Sequence, residues 1–236
     1  KDPKTAEILT PRGYPIFARR PCLDTNYYEA YNRDNVRLVD CLNEPITEIT
    51  EGGIRTAERE IELDMIIGAT GYDGLTGAMM ALEVTGREGR SLREKWSRGA
   101  HSYLGLMMEG FPNLFMIAGA NGPSALANFL LLNEQNADWI IDCVTHMRAN
   151  GIAAIEPKAD AEDGYMRLVT EIANRSLMPK ANTWYTGTNI AGKPRFFPIF
   201  AGGLNRYREM CANEVTSGFN GFDLEYEPKH ESAKVG

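Results

Sequence analysis

Residues 113–124 read NLFMIAGANGPS, and an apolar helical pattern follows them as far as Asn150. A short apolar run that leads into a glycine-rich turn and then a helix is typical of ligand sites in α/β proteins. The unpaired N–H groups at a helix N-terminus carry about half a positive charge, so they attract phosphates and the polar edges of rings. The stretch predicts a buried strand ending at Gly119 and a helix beginning at Ser124. An ordinary helix cap by Ser124 would explain the same residues without any ligand.

A second apolar run leads into a glycine turn at residues 65–73, MIIGATGYD. Its first five residues predict a short buried strand, and Gly68 and Gly71 would let backbone N–H groups approach a phosphate. A strand that merely turns at a glycine explains these residues equally well. Short buried strands mixed with helices indicate an α/β protein.

The rest of the sequence predicts a turn-rich connector up to Cys22 and several further strands and helices. Strands are predicted at 36–40, 46–50 and 54–63, and helices at 91–98, 161–177 and 205–216, in addition to the elements above.

Composition excludes several classes of protein. The 236 residues carry a net charge of −7, whereas nucleic-acid binding usually requires a basic face. No run approaches the roughly 18 apolar residues of a membrane helix. The four cysteines are widely separated and the three histidines lack ligand spacing, so we expect reduced thiols in a cytoplasmic protein and no metal site. A first residue of Lys1 suggests a fragment or a trimmed product.

The residues GPSAL at 122–126 invite comparison with the G-x-S-x-G turn of serine hydrolases. That sharp turn needs small residues on both sides of the serine, and here Leu126 replaces the second glycine. The sequence therefore disfavours a serine hydrolase.

Several separated segments together resemble the flavin-dependent Baeyer–Villiger monooxygenases of the cyclohexanone and phenylacetone type. They occur in one order, and the shared motifs are RRPCL at 19–23, YYE at 27–29, NRDNV at 32–36, ATGYD at 69–73, GFPNLF at 110–115, PSAL at 123–126, WYTGTN at 184–189 and GKPR at 192–195. The resemblance implies FAD and NADPH as cofactors. It also implies conversion of ketones to esters or lactones with molecular oxygen, through a flavin peroxide.

By this resemblance Arg20 is the active-site arginine. A guanidinium is charged at any working pH, so it can stabilise an anionic peroxide and the adduct formed on the ketone. A surface salt bridge is the alternative role for Arg20. Arg19 stands where the family commonly carries a lysine near the 2′-phosphate of NADPH, and arginine can make the same contact. Ala69 and Thr70 match the turn beside the nicotinamide cofactor.

Other matches concern the flavin and the substrate. Phe129 stands where the backbone N–H of a family member meets the flavin ring, and Ser124, Leu126 and Phe129 border the implied substrate pocket. Trp184 matches the tryptophan of a lid loop near 180–195 that covers the NADP ribose. Packing of Trp184 as a simple core aromatic is the alternative.

The family's two glycine-rich nucleotide-binding turns are absent from the sequence, which contains no G-x-G-x-x-G after a strand. The resemblance therefore implies a partial two-dinucleotide-binding-domain flavoprotein fold whose partner is a missing N-terminal portion of the same enzyme. We expect the end of the NADP-binding region at 1–63, a linker at 64–69, the C-terminal half of the FAD-binding domain at 70–223 and a flexible tail at 224–236.

Two alternatives stay open. One is a related flavin monooxygenase that oxidises nitrogen or sulfur, although a cation at Arg20 favours the nucleophilic anion. The other is a non-catalytic fragment, and we expect the isolated chain to be inactive.

Overall fold

The computed structural model describes residues 2–228, and the chain divides into two compact units. The first unit ends at Tyr72 and the second begins at Asp73. The boundary follows Gly71, whose φ of +85° is one that glycine adopts readily.

The first unit contains two short helices and an antiparallel sheet of three strands in the order β1-β2-β3. Its elements are α1 (Pro3–Leu9), α2 (Tyr27–Ala30), β1 (Ile46–Thr50), β2 (Gly53–Thr56) and β3 (Glu60–Glu62). The strand predicted at 46–50 is confirmed. The single strand predicted at 54–63 is wrong, because residues 57–59 turn the chain back and divide that stretch into β2 and β3.

Two other strands predicted in this unit are also absent from the described residues. Residues 36–40 and 65–69 pair with no strand within 2–228. Met65 is 75% exposed and Ile67 is 82% exposed, so the second of these runs is not buried either. A strand requires a hydrogen-bonded neighbour, and no part of the described chain supplies one here.

Over residues 73–228, the second unit combines five helices with one antiparallel strand pair. Its helices are α3 (Gly77–Ala81), α4 (Leu92–Lys95), α5 (Phe129–Asn150), α6 (Ala159–Asn174) and α7 (Leu204–Thr216), its strands are β4 (Ile152–Pro157) and β5 (Phe222–Tyr226), and 3₁₀ turns lie at Arg87–Gly89, Ser124–Leu126, Met178–Lys180 and Trp184–Thr186. The helices predicted near 91, 161 and 205 are thus confirmed, with the first shorter than expected.

The core of this unit lies between α5, α7 and the strand pair. Leu132, Trp139 and Cys143 of α5 are buried at helical spacing, and Tyr207 and Cys211 of α7 face the same core. The Trp139 indole N–H donates to the backbone oxygen of Cys211 at 3.1 Å, so the two helices are also joined by a buried hydrogen bond.

The strand predicted at 113–119 and the flexible tail predicted from Leu224 both differ from the structure. Residues 113–119 form no strand; instead the Met116 N–H donates to the oxygen of Leu106 at 2.7 Å in an irregular segment. The flexible tail predicted from Leu224 is ordered as far as Tyr226, because these residues pair with β4 in β5. The Glu227 N–H then donates to the oxygen of Gly151 at 2.7 Å, and residues 229–236 of the predicted tail lie outside the described residues.

Candidate functional site

The residues predicted to form the site divide between the two units. Arg19, Arg20, Ala69 and Thr70 belong to the first unit, and Ser124, Leu126, Phe129 and Trp184 belong to the second.

A tight turn presents the two arginines of the first unit. Phe17 has a φ of +61°, and the N–H of the fully buried Ala18 donates to the oxygen of Pro15 at 3.1 Å. Beyond this anchor, Arg19 and Arg20 are exposed. The Arg19 guanidinium carbon lies 4.3 Å from the ring centroid of Tyr14, a cation–π contact that orients the side chain. The tight turn therefore leaves both arginine side chains exposed at the surface of the first unit.

The predicted nicotinamide turn lies in an irregular segment of the same unit. Ala69 and Thr70 are exposed and precede Gly71, whose positive φ turns the chain. Their role beside a nicotinamide stays a prediction.

The glycine-rich turn of the second unit is packed tightly against neighbouring backbone. A Cβ built on Gly105 would lie 2.4 Å from the nitrogen of Gly122, so only glycine fits at this contact. The fully buried Asn121 donates its N–H to the oxygen of Pro198 at 2.8 Å and accepts the Tyr165 hydroxyl at 2.6 Å. Asn121 therefore fixes the turn, and sequence reasoning missed it, although an Asn-Gly pair often marks a left-handed turn residue.

Ser124 does not cap the helix that follows it, as the sequence predicted. Its φ is +40°, it is fully buried, and its hydroxyl donates to the oxygens of Ala118 and Gly119 at 3.4 and 3.3 Å. Helix α5 instead begins at Phe129. The Asn128 side chain caps it, because its oxygen accepts the backbone N–H groups of Leu130 and Leu131 at 3.0 and 3.3 Å. The sequence does carry a signal for this cap, because an asparagine stands directly before the apolar run and asparagine is a favoured N-cap residue.

The start of α5 exposes one free donor beside an apolar surface. Among the hydrogen bonds of residues 2–228, none uses the N–H of Phe129. Leu126 is 38% exposed, and Phe129 is 47% exposed together with the two leucines after it. A flat apolar ring with a hydrogen-bond acceptor at its edge would satisfy both features.

Trp184 also lies in the second unit. It begins a 3₁₀ helix that is closed by a capping box between Thr183 and Thr186. Its ring centroid is 4.1 Å from that of Tyr185, and it packs half-buried against a cluster that contains Ala125. Trp184 thus packs against the same buried cluster to which Ala125 of the 124–126 segment belongs.

Burial raises the pKa of several ionisable groups in the second unit. Burial raises the pKa of Tyr165 well above its usual value, so its hydroxyl remains a hydrogen-bond donor to Asn121. Burial also raises the pKa of Cys143 and of Cys211 to about 12. Within 2–228, no group of three or more His, Cys, Asp or Glu side chains is arranged to hold a metal ion. The same residues include no helix that is long and apolar enough to cross a membrane.

Comparison with curated proteins finds relatives across both units. The chain is 40% identical over 225 residues to acetone monooxygenase (methyl acetate-forming) of Gordonia sp. (strain TY-5), a match that covers 94% of the chain and 42% of the relative. A Baeyer–Villiger monooxygenase of Pseudooceanicola batsensis is 40% identical over 220 residues, a match that covers 93% of the chain and 40% of the relative. Phenazine N-monooxygenase of Lysobacter antibioticus is 35% identical over 229 residues, covering 97% and 42%. No protein-family model matches the chain.

Solved structures give the same result for the fold. A closed crystal structure of cyclohexanone monooxygenase superposes with a TM-score of 0.90 at 38% identity, covering 96% of this chain and 42% of that one. OTEMO in complex with FAD and NADP superposes with a TM-score of 0.89 at 37% identity, covering 95% of this chain and 41% of that one.

The chain therefore spans about two-fifths of the length of the relatives it matches. The predicted partial two-dinucleotide-binding fold is confirmed. The chain resembles, over nearly all of its own length, one region of the Baeyer–Villiger and cyclohexanone monooxygenases.

Proposed function

We propose that this chain is part of an FAD- and NADPH-dependent Baeyer–Villiger monooxygenase that converts ketones to esters or lactones with molecular oxygen. The observation that carries the proposal is similarity at 40% identity, through both units, to an enzyme named for forming methyl acetate. The exposed arginines of the first unit and the free N–H of Phe129 in the second unit supply chemistry that suits this reaction.

On this proposal the second unit completes the flavin site. FAD, when bound, supplies the oxygen-activating chemistry. The Phe129 N–H would donate to a polar atom on the ring edge, and Leu126 and Phe129 would contact the apolar ring and the ketone. Buried Ser124 would shape the pocket by fixing the turn, since its hydroxyl already donates to backbone oxygens.

The remaining residues would serve NADPH and the reacting oxygen. Arg19 would pair with the 2′-phosphate, Ala69 and Thr70 would lie beside the nicotinamide, and Trp184 would cover the ribose. Arg20 would stabilise negative charge on the reacting oxygen atoms, because a guanidinium is a cation that donates several hydrogen bonds. We assign 1–63 to the NADP-binding side and 70–223 to the FAD-binding domain, joined at 64–69.

We infer that the partner is an N-terminal portion of the same enzyme, which would carry the two phosphate-binding turns. The exposed run at 65–69 supports this, because an apolar segment without a pairing strand suits insertion into a sheet that another portion supplies. The isolated chain would then be inactive. Four free thiols suit a reducing compartment, so we place the enzyme in the cytoplasm.

A second candidate is oxidation at nitrogen, which is favoured by the 35% identity to a phenazine N-monooxygenase. Arg20 favours the ketone reaction, because a cation there stabilises an oxygen nucleophile, and nitrogen oxidation needs an oxygen electrophile.

The test combines this chain with the N-terminal portion of the Gordonia acetone monooxygenase. The mixture should retain a visible flavin spectrum through gel filtration and consume NADPH in step with ester formation from acetone. The chain alone is the control and should do neither. A mixture that holds flavin and consumes NADPH but oxidises only a phenazine would contradict the ketone assignment, and turnover by the chain alone would contradict the need for a partner.

A further inference from the structure

Lys193 joins the segment 187–195 to the turn 73–77. Its ammonium forms an ion pair with the carboxylate of Asp73 and also donates to the backbone oxygen of Gly74 at 3.2 Å. The Lys193 side chain is only 13% exposed, whereas lysines usually extend into solvent. The ammonium is therefore held in one place by two acceptors on the same turn.

A second contact joins the same part of the chain to this turn. A Cβ built on Gly74 would lie 3.4 Å from Cε3 of Trp184, so the indole ring lies against that glycine. Gly187, with a φ of +72°, follows directly after the 3₁₀ helix of Trp184. The aliphatic part of the Lys193 side chain packs against Gly187, since a Cβ built on Gly187 would be 3.2 Å from Cδ of Lys193. Both the indole and the ammonium thus rest on Asp73–Gly74.

Within the segment itself, the backbone contacts are long. The N–H of Ile190 donates to the oxygen of Gly187 at 3.2 Å, and the N–H of Lys193 donates to the oxygen of Ile190 at 3.3 Å. The Phe196 N–H reaches the oxygen of Thr186 at 3.4 Å. These bonds lie at or beyond the long end of the normal range. Two charged side chains therefore tie the segment to the rest of the unit: Lys193 binds the turn 73–77, and Arg195 donates to Asn182 and to the oxygen of Pro179.

The segment also forms one wall of a cleft. The cleft has a volume of about 290 Å³ and is lined by Asp73, Thr76, Trp96, Ile190, Lys193 and Phe196, among others. Movement of the segment away from the turn would open this cleft to solvent.

We propose that Lys193 and Asp73 are a positioning pair that holds 187–195 on the turn 73–77. On the proposed function, the pair also sets how long NADPH stays bound, because Trp184, which would cover the nucleotide, lies against the same turn. Neither residue needs to touch the reacting atoms, so their effect should fall on nucleotide release and leave the chemical step unchanged.

Amide hydrogen exchange on the 236-residue chain, without nucleotide, tests the positioning. Lys193→Gln should speed exchange at Ile190 and Phe196 about two- to five-fold, which is the size expected for a partly exposed pair. Asp73→Asn should do the same, and the double variant should add nothing further. Lys193→Arg should keep most of the protection. Salt at 1 M should speed exchange in the unaltered chain and in Lys193→Arg, which both keep the charged pair, and should have no such effect in Lys193→Gln or Asp73→Asn.

Arg175→Gln is the matched control, since it removes an exposed ion pair with Glu171 on α6 and should leave the segment unchanged. Exchange in the core of α5 should be the same in every variant, which separates a local effect from unfolding. Unchanged exchange at Ile190 and Phe196 in Lys193→Gln, or additive effects in the double variant, would overturn the positioning pair.

The nucleotide part is tested on the chain combined with the N-terminal portion. NADP⁺ should dissociate from the Lys193→Gln complex faster by about the same factor, with the rate of ester formation at saturating NADPH unchanged. If Lys193→Gln speeds amide exchange but not NADP⁺ dissociation, the proposed effect on nucleotide release is wrong, and the positioning of the segment by the ion pair still holds. A complex that binds no NADP⁺ at all would contradict the proposed function, while the exchange data would still decide the positioning.

Discussion

The Tyr165 hydroxyl on α6 donates a hydrogen bond to the backbone oxygen of Asn121 at 2.6 Å, and both residues are buried. The bond ties the glycine-rich turn before α5 to a helix more than forty residues later in the chain. The turn therefore depends on α6 for its geometry as well as on its own glycines.

Tyr165→Phe should lower the free energy of unfolding by about 1–3 kcal/mol, because it leaves the buried oxygen of Asn121 without its donor. Urea denaturation of the chain measures this. Tyr226→Phe is the matched control, since Tyr226 is 63% exposed, and it should change stability by less than about 0.5 kcal/mol. Equal stability of the two variants would show that the bond contributes nothing.

Arg20→Ala should reduce ketone turnover by the chain combined with an N-terminal portion about 100- to 1,000-fold, the usual effect of losing one donor that stabilises transition-state charge. Ester formation at saturating NADPH and ketone is the measurement. Arg12→Ala removes another exposed arginine of the first unit, which pairs with Glu7, and should leave turnover unchanged. If both variants lost activity alike, Arg20 would have no special role.

Arg19→Ala should raise the KM for NADPH about 10- to 100-fold, because it removes a charge-assisted bond of roughly 1.5–3 kcal/mol to the 2′-phosphate. The KM for NADH, which lacks that phosphate, should stay the same. Initial rates with each nucleotide give both constants. A parallel rise for NADH would place Arg19 elsewhere than at the phosphate.

Stability should fall as the pH rises above about 9. Burial raises the pKa of Cys143 and of Cys211 to about 12, whereas an unfolded cysteine loses its proton near pH 8.5. Between these values the folded state binds more protons than the unfolded state, so each unit of pH favours unfolding. Denaturation from pH 7 to 10 measures the slope, which should be smaller in Cys143→Ala. An unchanged slope in that variant would exclude the Cys143 thiol as a source.

The same burial predicts selective alkylation. At pH 8, iodoacetamide should modify Cys22 and Cys41, which are exposed, and should spare Cys143 and Cys211 in the folded chain. Mass spectrometry of the digested protein identifies the modified thiols, and unfolding in urea should make all four react. Modification of Cys143 at the rate of Cys22 would contradict its burial.

The sequence alone determined the features that local chemistry controls. The end of α5 at Gly151, with a φ of +64°, follows from the left-handed conformation that glycine tolerates, and the hairpin between β1 and β2 follows from a double glycine. The resemblance to the monooxygenases was also available from the sequence, because several motifs keep one order along the chain. Ordered motifs of this kind do not depend on knowing how the chain packs.

Tertiary structure decided the features that depend on distant partners. The apolar runs at 65–69 and 113–119 look like strands, but a strand exists only where another backbone accepts its hydrogen bonds, and residues 2–228 provide none. Ser124 looks like a helix cap, yet its hydroxyl turns to the carbonyls behind it, so Asn128 becomes the cap. The glycine-rich stretch that predicted a ligand site is thus a turn fixed by buried contacts, and the free donor lies at Phe129.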